Sequence, residues 1–223
     1  MSILNAISLG NDIVDLTDSD TIDLAKHTKF IQRVYSPNEL EIIESCHESL
    51  KKIYFWKLWA AKEAAYKAIK RINPDIIFSP VQFQFSSQPD IITFENLVVN
   101  IEYLENDRYI HASGFLAHRA DLQNVQIWIS HYSEIEKIFQ EKDIQIEASY
   151  SRDSTLCRGY GAIKINESLN LPGTRTEIRK DGNKPKSVPE VWVNGSKTAH
   201  LVSLSHHGRY CAILFSAVES GSG

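Results

Sequence analysis

The sequence predicts an α+β fold built from two helix-then-sheet blocks, and three observations carry that expectation. A long helical stretch, "WKLWAAKEAAYKAIKR" at 56–71, gives way to alternating β texture. A second helical run at 152–169 gives way to hairpin signals and two closing strands. The length of 223 residues, with 43% hydrophobic and 23% charged, suits one large soluble domain or two small ones packed together.

The elements follow in chain order. Residues 3–16 are rich in Ile, Leu and Val and are broken by Gly10 and Asn11, which predicts strand, turn and second short strand. "SPNE" at 36–39 is a helix start: Ser36 caps, Pro37 takes the first helical position and Glu39 closes a capping box. That helix is expected to run to about Ser45, and the longest helix from about Ser49 to Arg71, ended by "NP" at 73–74. From Val81 to Ile129 the texture is β, with "VQFQF", "LVVNIEYL" and "YIHASGFLA" as strands. Residues 134–142 read as a short helix, and 152–169 as a longer one despite Gly159 and Gly161. "DGN" at 181–183 and "NG" at 194–195 signal hairpins, and "LVSLS" and "YCAILFSAV" close the chain as strands joined by "HHGR". The division expected is 1–118, 119–218 and a disordered tail at 219–223.

Composition excludes some functions. A formal net charge of −4 gives no global field for nucleic acid. Lys26, Lys29, Arg33, Lys51, Lys52 and Lys57 nevertheless form a local basic run, which is either a docking surface for an acidic partner or a solvated face. Three cysteines, Cys46, Cys157 and Cys211, are odd in number and far apart; they suit neither a disulfide framework nor a zinc site and suggest a reducing compartment. There is no signal-peptide pattern and no apolar run long enough for a membrane helix, so a cytoplasmic location is expected.

Four stretches carry candidate chemistry. Glu63 and Lys67 stand four apart on one helix face, with Trp59 on the same stripe. As an ordinary surface pair they contribute a few tenths of a kcal/mol; the alanines and aromatics around them point to burial instead. In "GNDIVDL", an Asp12 that starts a strand shares its side with Val14, while Ile13 and Asp15 point the other way. Asp12 either closes a turn or ligates a metal, and Mg²⁺ characteristically takes one or two protein carboxylates, which Asp12 and Glu63 supply from two elements. "SLSHHGRY" at 203–210 ends a strand with a hydroxyl and imidazoles suited to phosphate, or is a plain turn. "RKDGNKPK" at 179–186 gathers four cations at a turn, as a phosphate cradle or as an ordinary exposed hairpin. No P-loop occurs, and "GYG" at 159–161 is too short for a dinucleotide fingerprint.

Together and in this order, "GND" at 10–12, "WAAKEAAYK" at 59–67, "GNKP" at 182–185 and "SLSHHG" at 203–208 resemble the 4′-phosphopantetheinyl transferase superfamily. "KFIQRVYSPNEL" is similar to the helix and turn after the first strand in the holo-acyl-carrier-protein synthase branch. Val14 stands where the surfactin-type branch has a second carboxylate, and Asn183 is extra relative to G-K-P. The motif order is that of the small synthases, while the length is that of the surfactin-type pseudodimers. The resemblance therefore implies two similar subdomains, each a long helix against a small, mostly antiparallel sheet, packed as a pseudodimer and hence a monomer. It further implies transfer of the 4′-phosphopantetheine arm of coenzyme A to a serine of an apo acyl or peptidyl carrier protein, with release of 3′,5′-ADP. The metal, Mg²⁺ or alternatively Mn²⁺, falls to Asp12 and Glu63; catalysis falls to Glu63 and Lys67. Coenzyme A contacts fall to Lys67, Lys184, Ser205 and His206, with Arg152 and Arg158 as additions, and carrier docking to Arg33 and Lys29. A non-catalytic module of the same fold that grips a carrier protein or coenzyme A is the alternative.

Overall fold

The computed structural model of the chain describes residues 7–22, 28–86, 90–116, 122, 124–144, 151–180 and 187–218. The expected first strand before Ile7, Lys26, the turn at 181–186 with Lys184, and the tail at 219–223 lie outside the described residues. The architecture is α+β, as expected. It opens with β1 (Leu9–Asp15), followed by α1 (Ser19–Ile22), α2 (Thr28–Val34), α3 (Pro37–Ser45) and the 25-residue α4 (Glu48–Ile72). The strands β2 (Gln84–Phe85), β3 (Ile91–Phe94), β4 (Leu97–Glu105) and β5 (Tyr109–Phe115) complete an antiparallel sheet of order β1-β5-β4-β3-β2. Then come β6 (Val125–His131), α5 (Tyr132–Glu141) and α6 (Arg152–Ser168). A small sheet of β7 (Thr176–Arg179), β8 (Glu190–Val193) and β9 (Ser196–Lys197) precedes β10 (Leu201–His207) and β11 (Tyr210–Ser216), which join β6 in the order β10-β11-β6.

Local chemistry explains the boundaries. Ser36 accepts from the Glu39 amide while the Glu39 carboxylate accepts from the Ser36 amide, so both halves of the capping box form. Asn73, before Pro74, ends α4. At the β8–β9 turn Asn194 and Gly195 both take positive φ, 49° and 78°, as a tight two-residue hairpin requires.

One expectation fails. Gly10 and Asn11 do not break the first strand; they lie inside β1, paired with Gly114 and Ser113. The glycine serves a tertiary contact instead. A Cβ on Gly10 would stand 2.2 Å from the Ala64 carbonyl oxygen, so its absence lets β1 lie directly on α4. Ala60, Ala61, Ala64, Ala65 and Ala68 are fully buried and keep the helix surface low enough for that approach.

The other edge of β1 meets β10. The Asn11 amide donates to Ser203 Oγ at 3.0 Å and the Asp15 amide donates to His207 Nδ1 at 3.2 Å. Both pairs advance by four residues, so β1 and β10 run side by side in the same direction with side chains, not a backbone ladder, satisfying the edge. Asn11 Nδ2 also donates to the Ala212 carbonyl, and Arg209 pairs with the buried Asp15 at 3.0 Å. The α4-side core and the α6-side core thus join along β1.

Candidate functional site

The site is built where α4 crosses β1. Because Gly10 faces α4, Asp12, two residues on, faces it too. One helical turn past Ala64 stands Lys67, whose Nζ donates to Asp12 Oδ1 at 2.8 Å and to the Asn11 carbonyl at 2.9 Å. Glu63 lies one turn before Lys67 on the same face. Burial pushes its carboxyl up to about 7, opposed by the Lys67 charge and reinforced by the Asp12 charge. Burial alone would depress Lys67, yet Asp12 and Glu63 hold its pKa above the usual value. Two carboxylates and one ammonium therefore share a partly dry pocket with negative charge in excess.

Lys67 also lines a cleft of about 350 Å³ at the seam. One wall is α4, with Tyr66, Lys67, Lys70 and Arg71; the other is Ser154, Cys157 and Arg158 of α6, then Lys180, residues 187–189, and Ser203, Leu204 and His206 of β10. Among the described residues five cations face this space, Lys67, Lys70, Arg71, Arg158 and Lys180, and none of its described lining residues is a carboxylate. Arg158 is held by Ser154 Oγ at 3.3 Å and by the Ile178 carbonyl at 3.2 Å. Burial lowers the pKa of Lys180, with the Arg158 and Lys70 charges adding to the effect. Such a cleft suits a ligand with several anionic groups, because bound anions relieve cations already crowded together.

The structure brings Asp12, Glu63, Lys67, Arg158 and His206 to one place. Ser205 is buried and is not among the lining residues; its Oγ has no partner among the described residues, and the β10 serine that lines the cleft is Ser203, whose Oγ accepts from the Asn11 amide. Arg152 begins α6 on the exposed side, paired with Glu136, and does not line the cleft. Lys29 and Arg33 are exposed on α2. Lys70 and Arg71 are cleft residues that the motifs do not single out. A signal for them exists, since they stand three and four residues past Lys67 and therefore share its face. Ser154 and residues 187–189 carry no signal at all.

A divalent cation fits the donor set of Asp12 and Glu63. Burial chiefly, with the Asp12 charge adding to it, raises the Glu63 pKa, a cost that a bound cation would relieve, and one or two carboxylates are the usual protein share of a Mg²⁺ shell. Among the described residues no group of three or more His, Cys, Asp or Glu side chains is placed to hold a metal. Nor is any helix among them long and apolar enough to cross a membrane.

A family model described as 4′-phosphopantetheinyl transferase superfamily matches residues 8–114. That span contains Asp12, Glu63 and Lys67 and stops short of the α6 and β10 wall of the cleft. No curated protein matches the chain.

Proposed function

We propose, on the match of residues 8–114 to the 4′-phosphopantetheinyl transferase superfamily model, that the chain moves the 4′-phosphopantetheine arm of coenzyme A onto a serine of an apo acyl or peptidyl carrier protein. The observation that carries this reading is the cleft: five cations on its walls and a carboxylate pair at its α4 end. Coenzyme A offers a pyrophosphate and a phosphate monoester, which call for just such an excess of cations.

In this reading the coenzyme's phosphates lie along Lys67, Lys70, Arg158 and Lys180, with His206 and Ser203 at the β10 side. Lys184, outside the described residues, and Ser205, buried and not among the lining residues, stay secondary. The Glu63 carboxylate accepts the proton of the incoming serine hydroxyl. The serine oxygen bonds to the pantetheine-side phosphorus, the bridging P–O bond breaks, and 3′,5′-ADP leaves with the bond's electrons. Lys67 faces the oxygens on which that charge grows, and a cation already in place there needs no reorganisation. Mg²⁺ (or Mn²⁺), held by Asp12 and Glu63, supplies further charge neutralisation when bound. The carrier docks on exposed Lys29 and Arg33 of α2, and salt weakens that docking.

The two blocks, 1–118 and 119–218, are read as a pseudodimer in a monomeric cytoplasmic enzyme of the synthase type. The registers support this: Tyr109 pairs with Asp15 at one end of β5 as Tyr210 pairs with His131 at the same end of β11, and the two tyrosine rings meet at 5.2 Å. Intact-protein mass spectrometry of apo carriers, fatty-acid and peptide types in parallel, tests the function. One added phosphopantetheine is expected, lost with chelator and lowered at least about 100-fold by Glu63→Gln, the usual scale for a general base. Coenzyme A binding without transfer to either carrier would replace this reading with the non-catalytic module.

A further inference from the structure

Arg71, at the end of α4, crosses the seam. Its Nη1 and Nη2 each donate to the Pro189 carbonyl at 3.3 Å, and Nη2 donates also to the Val202 carbonyl of β10. Pro189 and Val202 belong to separate segments, one just before β8 and the other inside β10. One guanidinium therefore ties three pieces of chain together: the helix that carries Glu63 and Lys67, residues 187–189 that form a wall of the cleft, and the strand that carries Ser203 and His206. A planar fork of donors holds two carbonyls in a fixed mutual geometry; an ammonium is a point charge on a flexible stem.

The clasp is incomplete. Arg71 Nε is buried and has no hydrogen-bond partner among the described residues, and none of their carboxylates contacts the guanidinium there. Burial draws the Arg71 pKa down to about 10, only partly opposed by the Glu190 charge. A cation held mainly by neutral carbonyls, in a cleft with four others, remains short of negative charge.

We propose that Arg71 is a positioning residue that clasps residues 187–189 against β10, fixing the width of the cleft and so its affinity for an anionic substrate. The clasp exists before any ligand arrives; that its substrate is coenzyme A rests on the function proposed above. Anion binding then supplies the charge that Arg71 lacks and tightens the same contacts. Arg71 acts through the wall it holds. The proton transfer and the broken P–O bond belong to the Glu63 and Lys67 end of the cleft.

Two measurements on the full chain test this separately from the transfer reaction. The first is amide hydrogen exchange without ligand, in wild type, Arg71→Lys and Arg71→Gln. Exchange across 187–193 is expected to rise at least about fivefold in both variants, while that of β4 stays at the wild-type rate. Unchanged exchange at 187–193 overturns the clasp, whatever the enzyme does. The second is steady-state kinetics. The KM for coenzyme A is expected to rise about tenfold or more in Arg71→Lys, with kcat falling less than about threefold. Loss in kcat with KM unchanged overturns the positioning role. A wild type that exchanges as expected but transfers nothing leaves the clasp standing and removes the proposed function. Arg71→Lys keeps the charge, so a variant that merely fails to fold shows itself in the β4 exchange rates.

Discussion

Lys62 and Glu63 are neighbours on α4, yet they sit in opposite kinds of surroundings. Lys62 is fully buried and completely satisfied: Nζ donates to Glu39 Oε2 at 2.7 Å, to the Val34 carbonyl at 2.8 Å and to the Pro80 carbonyl at 3.2 Å. Glu39 is equally spent, accepting from the Ser36 and Phe85 amides as well. One ion pair thus pins α2, α3, α4 and the short turn at 80–82. Glu63 faces another carboxylate, shares one ammonium with it, and is pushed toward neutrality. A turn of about 100° around the helix separates the two side chains. The difference separates scaffold from site. Where every donor and acceptor is used, the residues hold the fold; where charge is left unbalanced at a cleft, something is meant to arrive.

The largest effect expected from breaking this contrast is at the satisfied pair. Lys62→Met leaves the Glu39 carboxylate buried without its cation, and such a loss costs about 3–5 kcal/mol. Urea denaturation at pH 7.5 measures it. Glu39→Gln in the same chain should return part of the loss, because the stranded charge is gone. A single variant that costs under about 1 kcal/mol would mean that water reaches Glu39 and that the pair is no scaffold.

Glu63→Gln should do the reverse. The folded pKa of Glu63, about 7, lies above its ordinary 4.5. The native state therefore holds that proton more tightly than the unfolded chain. Its contribution is fully present below 4.5 and lost as pH rises through 7. In chelator at pH 8, Glu63→Gln is expected to be more stable than wild type by up to about 3 kcal/mol. At pH 4 the difference should close. Adding Mg²⁺ at pH 8 should stabilise wild type and leave the variant nearly unmoved. Equal melting temperatures at pH 8 without metal would show that Glu63 is no strained acid.

Much of this contrast is legible in the amino-acid sequence. The capping box at Ser36–Glu39, the stop at Asn73–Pro74 and the shared face of Glu63 and Lys67 are local, and local chemistry can be read from spacing. Gly10 misleads because its reason is not local: the turn-like pair Gly10–Asn11 sits in a strand, and the missing side chain answers the Ala64 carbonyl 54 residues on. Lys70 and Arg71 do not stand out because basic residues in a last helical turn already have an ordinary explanation in the helix dipole. Pro189 and Val202, more than a hundred residues from Arg71, leave no mark on the spacing. Lys62 stands inside the same motif as Glu63, and only burial tells their roles apart.

A third buried cluster sharpens the comparison, because it is neither balanced like Lys62 nor, like Glu63, a carboxyl set beside another carboxylate. Asn11 Nδ2 donates to Nε2 of the fully buried His111 at 3.2 Å, and Asn11 Oδ1, His111 Nδ1 and Ser113 Oγ have no partner among the described residues. Burial, with the Lys67 charge adding to it, drives the His111 pKa down from 6.5 to about 3. The imidazole is therefore neutral in the folded chain, and the unfolded chain binds the extra proton first. Stability is fully present above pH 6.5 and is lost as pH falls toward 3. By pH 5 the loss from this one residue should reach about 2 kcal/mol, at 1.36 kcal/mol per pH unit. His111→Gln cannot be protonated. It should start weaker at pH 7.5, having lost a fitted ring, but its stability should fall less between pH 7.5 and pH 5 by about that amount. Parallel pH profiles for the two proteins would mean that His111 is protonated in the native state. The Asn11 contact would then have to be redrawn with a charged ring beside Lys67.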